Sequence, residues 1–248
     1  EGENGVSLIL RNMVELSQYD KSELTDFGDS HNVQIFLQPK GVDSVFKFYP
    51  DISDDEMYYN LPDFGLKMIF KPTQFTQVNF AVNRVLVRRA VSLLEPEPGD
   101  YIGDFFCGIG NFSLAIARRG GFVHGFEGEA SLTKRAIANA NLNNLDKRAI
   151  FDQINLFKNA QSIANGLKKF NKILIDPPRD GASTLVSAIA DGGNPKRIVY
   201  VSCNSATLAR DAGVLVHEKG YKFYGAGLVN MFPNTSHAEA IAWFERTH

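Results

Sequence analysis

From residue 79 to residue 218 the chain alternates helical periods with short apolar runs, and that alternation restricts it to one broad architecture. Ala81 to Leu94 places Val82, Val85, Leu86 and Leu93 or Leu94 on one face, the spacing of an amphipathic helix. Pro96 and Pro98 stop it. Strand-like runs follow at 101–106, 122–127, 149–154, 172–176 and 198–202. Each is succeeded by a helical stretch, at 111–119, 130–143, 156–170, 183–190 and 206–218. Repeated βα units bury a parallel sheet on both faces. Two further strands, 221–229 and 240–245, have no helical stretch between them, so they are expected to pair antiparallel. The fold class is α/β: a doubly wound sheet with a C-terminal antiparallel hairpin.

Residues 1–78 have a different character. Strand-like runs at 6–10, 33–37, 45–49 and 66–70, a short helix at 20–27 and an acidic turn at 51–56 make a small α+β segment. It is too short for a rich core of its own. Charge also divides the chain. Residues 1–70 carry 13 acidic and 5 basic side chains, and residues 71–248 carry 15 acidic and 21 basic. The larger part is modestly basic, which suits a polyanionic partner and equally suits a solvated surface.

Two cysteines, Cys107 and Cys203, exclude a disulfide framework and a four-cysteine metal or iron–sulfur site within these residues. No metal is expected. The cysteine usage fits a reducing compartment, and the expected localisation is cytoplasmic. No apolar run approaches the roughly 18 residues of a membrane span, so no membrane partner is expected. The acidic start without methionine suggests a fragment or a processed chain.

Three strand ends carry chemistry. Asp104-Phe105-Phe106-Cys107-Gly108-Ile109-Gly110-Asn111-Phe112 joins a strand to its helix, with glycines that permit a tight turn and close approach to a ligand. Glu127 ends the next strand and can accept hydrogen bonds from ribose hydroxyls. The third glycine of a dinucleotide fingerprint is missing, and Asp104 adds an acid before the loop, so an adenosyl group without pyrophosphate fits better than NAD. Cys107 reads as a small filler. Asp176-Pro177-Pro178-Arg179 is a rigid segment without two backbone donors. In this position Asp-Pro-Pro is a frequent signature of S-adenosylmethionine-dependent methylation of nucleic-acid bases, although a stiff turn would look the same. Cys203 ends the buried run Ile198 to Ser202, at the sheet edge where open α/β folds bind ligands.

These motifs, with Gln74-Phe75-Thr76-Gln77-Val78-Asn79, Ser202-Cys203-Asn204-Ser205-Ala206-Thr207-Leu208-Ala209-Arg210-Asp211 and Met231-Phe232-Pro233-Asn234-Thr235-Ser236-His237-Ala238-Glu239, occur in one order across residues 6–246. Together they resemble the RNA uracil-5 methyltransferase family, most closely the branch acting on 23S ribosomal RNA. The resemblance implies a Rossmann-like, S-adenosylmethionine-dependent methyltransferase domain at 79–248, with 1–78 as part of a central domain. It implies S-adenosylmethionine as cofactor, held by Gln77, Phe106, Asn111, Glu127, Asp176 and, less directly, Asn155. It implies Cys203 as nucleophile and Glu239 as base. Full-length members also carry an N-terminal OB-type (TRAM) RNA-binding domain and an iron–sulfur cluster, neither of which falls within these residues. Ser205 departs from a common proline, and Asn234 from a frequent histidine.

The chemistry accounts for the pair. Uracil C5 needs electron density before it can take a methyl group. A thiolate adding to C6 supplies it, and a base must then remove the C5 proton so that the thiol leaves. The turn into the following helix is expected to favour the thiolate through its backbone donors and dipole. His237 reads as a turn residue. Phe75, Phe105 and Phe232 are candidates to stack on a base, and Lys71, Arg84, Arg88, Arg89 and Arg179 to hold phosphates. The expected partner is RNA, a single-stranded loop of 23S rRNA, met by a monomer. Alternatives are the same chemistry on a transfer-RNA loop uridine, a cytosine or amino methyltransferase, and a non-catalytic RNA-binding factor that retains the cofactor site.

Overall fold

The computed structural model describes residues 1–51, 56–158, 160–190, 192, 194–235 and 237–246. Most of the 51–56 turn, and Ser236, therefore lie outside the described residues. Two compact units result, 1–60 with 67–75 and 61–66 with 76–248.

The first unit begins with β1 (Val6–Leu10), α1 (Gln18–His31), β2 (Val33–Leu37) and β3 (Phe46–Tyr49). β1 runs parallel to β2, and β3 antiparallel to it. α1 is longer than the expected 20–27. Ser17 and Asp20 form a reciprocal capping box before it, and Asn32 closes it in the left-handed conformation. β4 (Met57–Leu61) pairs with β5 (Leu66–Phe70). β4 was not among the expected strands, although Met57, Tyr59 and Leu61 alternate as its buried face.

The second unit holds α2 (Phe80–Leu94), β6 (Tyr101–Phe105), α3 (Asn111–Arg118), β7 (Phe122–Glu127), α4 (Ala130–Leu142), β8 (Ala149–Gln153), α5 (Ala160–Leu167), β9 (Lys172–Ile175), α6 (Ser183–Ala188), β10 (Arg197–Ser202), α7 (Ser205–His217), β11 (Lys222–Val229) and β12 (Glu239–Glu245). The seven strands form one sheet in the order β11-β12-β10-β9-β6-β7-β8. β6 to β10 are mutually parallel, and β12 is antiparallel to both β10 and β11. The C-terminal pair is thus antiparallel as expected, with β12 inserted between β10 and β11.

Alternate residues on the central strands go to opposite faces. Ile173 and Ile175, Ile198 and Tyr200, and Ala240, Ala242 and Phe244 share one core with residues of α5, α6 and α7. Leu174, Val199, Val201 and Ile241 are buried as well. Burial of both sets is what makes these strands near-continuous apolar runs. α5 is shorter than the expected 156–170. Asn155 Oδ1 accepts from the Phe157 N–H at 3.0 Å, and this turn delays the helix.

Candidate active site

The carboxyl ends of β6, β7, β9 and β10 converge in this sheet, and β12 begins beside them. Phe106 and Cys107 both donate N–H bonds to the Phe126 carbonyl, at 2.9 and 3.1 Å, which fastens the loop after β6 to β7. Phe106, Gly108 and Gly110 have φ of 66°, 55° and 89°. The positive values turn the loop sharply and are least costly at glycine. Gly108 N–H donates to Glu127 Oε2 at 3.0 Å, and Glu129 N–H donates to Oε1 at 2.9 Å. Glu127 is therefore oriented by its own loop, and each oxygen keeps acceptor capacity for a ligand.

Asp104 is fully buried. Ser113 Oγ donates to its Oδ2, while Oδ1 has no partner. Burial pushes its pKa up to about 7; the Ser113 bonds oppose the rise and the Glu127 charge adds to it. Asn111 opens α3. Its side-chain amide exchanges hydrogen bonds with buried Asn83 of α2, at 3.0 and 2.9 Å. Gln77 is buried just ahead of α2, whose cap is Asn79. Asn155 lies exposed in the turn after β8.

The nucleophile end is set by strand register. β10 and β12 pair antiparallel, and the final pair is Ser202 with Ala240. Cys203 follows Ser202 and Glu239 precedes Ala240, so the two lie at neighbouring strand ends. Cys203 is half-buried. Glu239 is 3% exposed, and its Oε2 has no hydrogen-bond partner. Burial raises the Glu239 pKa. Asp176 is raised well above the usual carboxylate range by burial and by the charges of Glu239 and Asp104. The Cys203 thiol is also pushed up, by burial first and then by Glu239 and Asp176; its own backbone bond and Arg179 pull the other way. The backbone bond favours the thiolate, as expected of the turn, and is opposed by burial first and then by the two acids.

Other sequence candidates separate. Phe105 is core: it is 3% exposed and stacks on Phe126 with ring centroids 5.0 Å apart, so it is withdrawn as a base-stacking residue. Phe106 instead faces exposed Phe157 at 5.5 Å, a residue that the sequence reading missed. Phe75 is 67% exposed. Phe232 sits edge-on to His237, whose N–H bonds Thr235 Oγ1 at 3.2 Å, as a turn residue would. Arg88 pairs with Asp63 at 3.6 Å. Cys107 is fully buried in the glycine loop, as a filler. Among the described residues no cluster of His, Cys, Asp or Glu could hold a metal ion, and no helix is long and apolar enough to cross a membrane.

Strand order and loop chemistry define a Rossmann-like fold of the S-adenosylmethionine-dependent methyltransferase class. M. jannaschii TYW2 in complex with AdoMet shares this fold, with a TM-score of 0.59, 14% identity and coverage of 86% of this chain and 93% of that one. Residues 6–247 match the profile of the tRNA (uracil-5-)-methyltransferase family, and the chain belongs to that family. It is 52% identical to the 23S rRNA (uracil(1939)-C(5))-methyltransferase RlmD of Ralstonia pickettii (strain 12J), over 99% of this chain and 56% of the relative. It is 54% identical to the protein of the same name from Dechloromonas aromatica (strain RCB), over 98% of this chain and 56% of the relative. The chain thus spans little more than half the length of these curated relatives. The crystal structure of Pyrococcus abyssi tRNA (uracil-54, C5)-methyltransferase in complex with S-adenosyl-L-homocysteine matches with a TM-score of 0.76 and 27% identity, covering 98% of this chain and 58% of that one.

Proposed function

We propose that this chain carries the catalytic part of an enzyme that methylates C5 of a uridine in 23S ribosomal RNA, with S-adenosylmethionine as donor. The observation that carries the reading is that Cys203 and Glu239 flank the Ser202–Ala240 pair in the chain, with the Glu239 charge acting on the Cys203 thiol. A thiol and a buried carboxyl with one unpartnered oxygen are the two groups that C6 addition and C5 deprotonation require.

The residues fit an adenosyl cofactor. Glu127 is held with free lone pairs, a Cβ at Gly108 would meet nothing within 4 Å, and Asp104 Oδ1 is buried without a partner. Glu127 would take the ribose hydroxyls, with Gln77, Phe106, Asn111, Asn155 and Asp176 forming the rest of the seat. When bound, the cofactor supplies an electrophilic methyl group. The protein's own residues do the remaining work. Cys203 adds as its thiolate to uracil C6, and the electron pair displaced from the C5–C6 double bond makes C5 nucleophilic. Glu239, with its raised proton affinity, takes the C5 proton after methylation, and the thiolate then leaves from C6 as the double bond re-forms. The base must leave its stack to reach this pair, at a cost of a few kcal/mol that a single-stranded loop reduces.

The 23S reading over a transfer-RNA uridine is supported by identity, 52% to the ribosomal-RNA relatives against 27% to the transfer-RNA enzyme. The test is incubation with methyl-labelled S-adenosylmethionine and either unmodified 23S rRNA or transfer RNA, followed by nucleoside mass spectrometry. Labelled 5-methyluridine from 23S rRNA, lost in Cys203→Ala, is expected. Label confined to transfer RNA refutes the substrate, label in cytosine or adenine refutes the chemistry, and no label in any RNA favours the non-catalytic factor.

A further inference from the structure

The chain turns out of the sheet at Cys203, and the side chains on either side of it close that turn. Ser202 ends β10, is 1% exposed, and makes the last pair of the ladder with Ala240. Its hydroxyl reaches across Cys203 twice. Oγ accepts from the Asn204 N–H at 3.1 Å and donates to the Asn204 carbonyl at 2.9 Å. That carbonyl also accepts from Thr207 Oγ1 and from the Leu208 N–H, both at 3.1 Å. Asn204 is the N-cap of α7 and has an extended backbone, with φ of −140° and ψ of 103°. Its Oδ1 accepts from the Ala206 N–H at 3.0 Å, and its Nδ2 donates to the Arg179 carbonyl at 3.1 Å. One amide therefore joins the start of α7 to the loop that follows Asp176.

A backbone N–H that has left its ladder needs another partner, and serine and asparagine supply such bonds locally. Capping of α7 accounts for the bond from Asn204 to Ala206. It does not account for a hydroxyl on the strand side that bonds both backbone groups of Asn204, nor for an amide tied to a second loop. These further bonds enclose a single residue, Cys203, and hold the backbone on both sides of it. A side chain leaves its backbone in one of a few staggered directions, so a residue fixed at both neighbours presents its Sγ over a narrow range. Attack on a ring carbon demands such a range, because the reacting atoms must meet at about 3–3.5 Å with their orbitals aligned.

We propose that Ser202 and Asn204 are positioning residues for Cys203: the Ser202 hydroxyl closes the turn over the nucleophile, the Asn204 amide ties that turn to α7 and to the Arg179 loop, and together they aim the thiol at uracil C6. The proposal rests on the reading of Cys203 as nucleophile. It gives a part in the addition step to two side chains whose own bonds all run to the backbone.

The experiment is covalent trapping on a 23S rRNA transcript made with 5-fluorouridine, in the presence of S-adenosylmethionine. The thiolate sulfur bonds to C6, C5 takes the methyl group from the sulfonium, and S-adenosylhomocysteine departs. Fluorine stands at C5 where the proton would be, so elimination cannot follow and the protein stays on the RNA in a denaturing gel. The trapping rate at saturating RNA and cofactor reads the bond-forming steps, and the RNA concentration at half that rate reads binding. Ser202→Ala should slow trapping at saturation by about 10- to 100-fold and leave the half-saturating concentration where it was. A Ser202→Ala chain that melts cooperatively and traps at the parent rate overturns the proposal, and so does one in which only the half-saturating concentration rises. If Ser202→Ala does not fold, Asn204→Ala keeps the Ser202 hydroxyl and removes the cap and the loop bond. It should slow trapping in the same way and by less; an unchanged rate there overturns the proposal. The two readings fail separately. A parent chain that forms no adduct refutes Cys203 as nucleophile, and the positioning role with it, whereas adduct formed at one rate by the parent and the variants refutes the positioning role alone.

Discussion

The side-chain amides of Asn83 and Asn111 hydrogen-bond each other in both directions, at 3.0 and 2.9 Å, and so tie the first turn of α2 to the first residue of α3. Asn83 is fully buried on the apolar face of α2. The pair fixes which way Asn111 presents its amide beside the glycine loop.

Asn83→Ala is therefore expected to do two things. It removes one partner of a buried amide, a change that costs about 1–3 kcal/mol in urea unfolding. It also removes two hydrogen bonds that orient the Asn111 amide, which should weaken S-adenosylhomocysteine binding in calorimetry. Loss of stability with unchanged affinity would show that Asn111 is not part of the cofactor seat.

Glu239→Gln keeps the size of the side chain and removes the base. Addition and methylation can proceed while elimination stalls, so a methylated protein–RNA adduct should accumulate on a denaturing gel. Turnover should fall by about 10²–10⁴. Product release at the normal rate, with no retained adduct, would rule out Glu239 as the base.

Asp104 makes stability fall as pH rises. Its folded pKa is raised to about 7 by burial, from 3.8. Below about pH 4 the carboxyl is protonated in both states and carries no penalty. Between there and pH 7 the unfolded chain loses this proton first, so the unfolded state gains, and the cost is complete once pH passes the folded pKa. Asp104→Asn keeps an acceptor for Ser113 and removes the titration. The variant should be more stable than the parent by on the order of a few kcal/mol at pH 8, and the difference should shrink toward pH 4. Urea midpoints measured across that range check it.

Much of this was legible in the sequence, for local reasons. Ile198 to Ser202 announces a buried strand because both of its faces are covered, and Cys203 follows directly. The five βα units could be ordered because each helix and strand has its own period. β4 was lost because Met57, Tyr59 and Leu61 alternate only over five residues, between an acidic turn and Pro62. The surroundings that push the Cys203 thiol up were not legible at all. Glu239 and Asp176, which with burial push the thiol up, lie 36 and 27 positions away and meet it only through the order β9-β10-β12. Asn83 is hidden for the same reason, as an amide on an apolar helix face whose partner is 28 residues distant. Phe105 and Phe106 are indistinguishable by composition. Strand alternation sends the first into the core, and the second, in the turn with a positive φ, is only partly buried against it.

Gly125, in the middle of β7, tests how closely the glycine loop depends on the strand beneath it. A Cβ there would lie 2.5 Å from Phe151 Cδ1 and 2.9 Å from Cys107 Sγ. Both neighbours are buried, so neither can swing into solvent. Phe151 also stands 3.4 Å from a Cβ built at Gly110, so displacing its ring presses on the start of α3. Gly125→Ala is expected to cost about 1–3 kcal/mol, the usual range for overpacking a filled core. It should also weaken S-adenosylhomocysteine binding, because Cys107 shares the loop with Gly108, whose N–H orients Glu127. Cys107→Ala relieves one of the two contacts. The double variant should recover part of the affinity and less of the stability, since the Phe151 clash remains. Paired urea unfolding and calorimetry on the two single variants and the double variant separate these effects, and full additivity would show that the loop does not feel the strand.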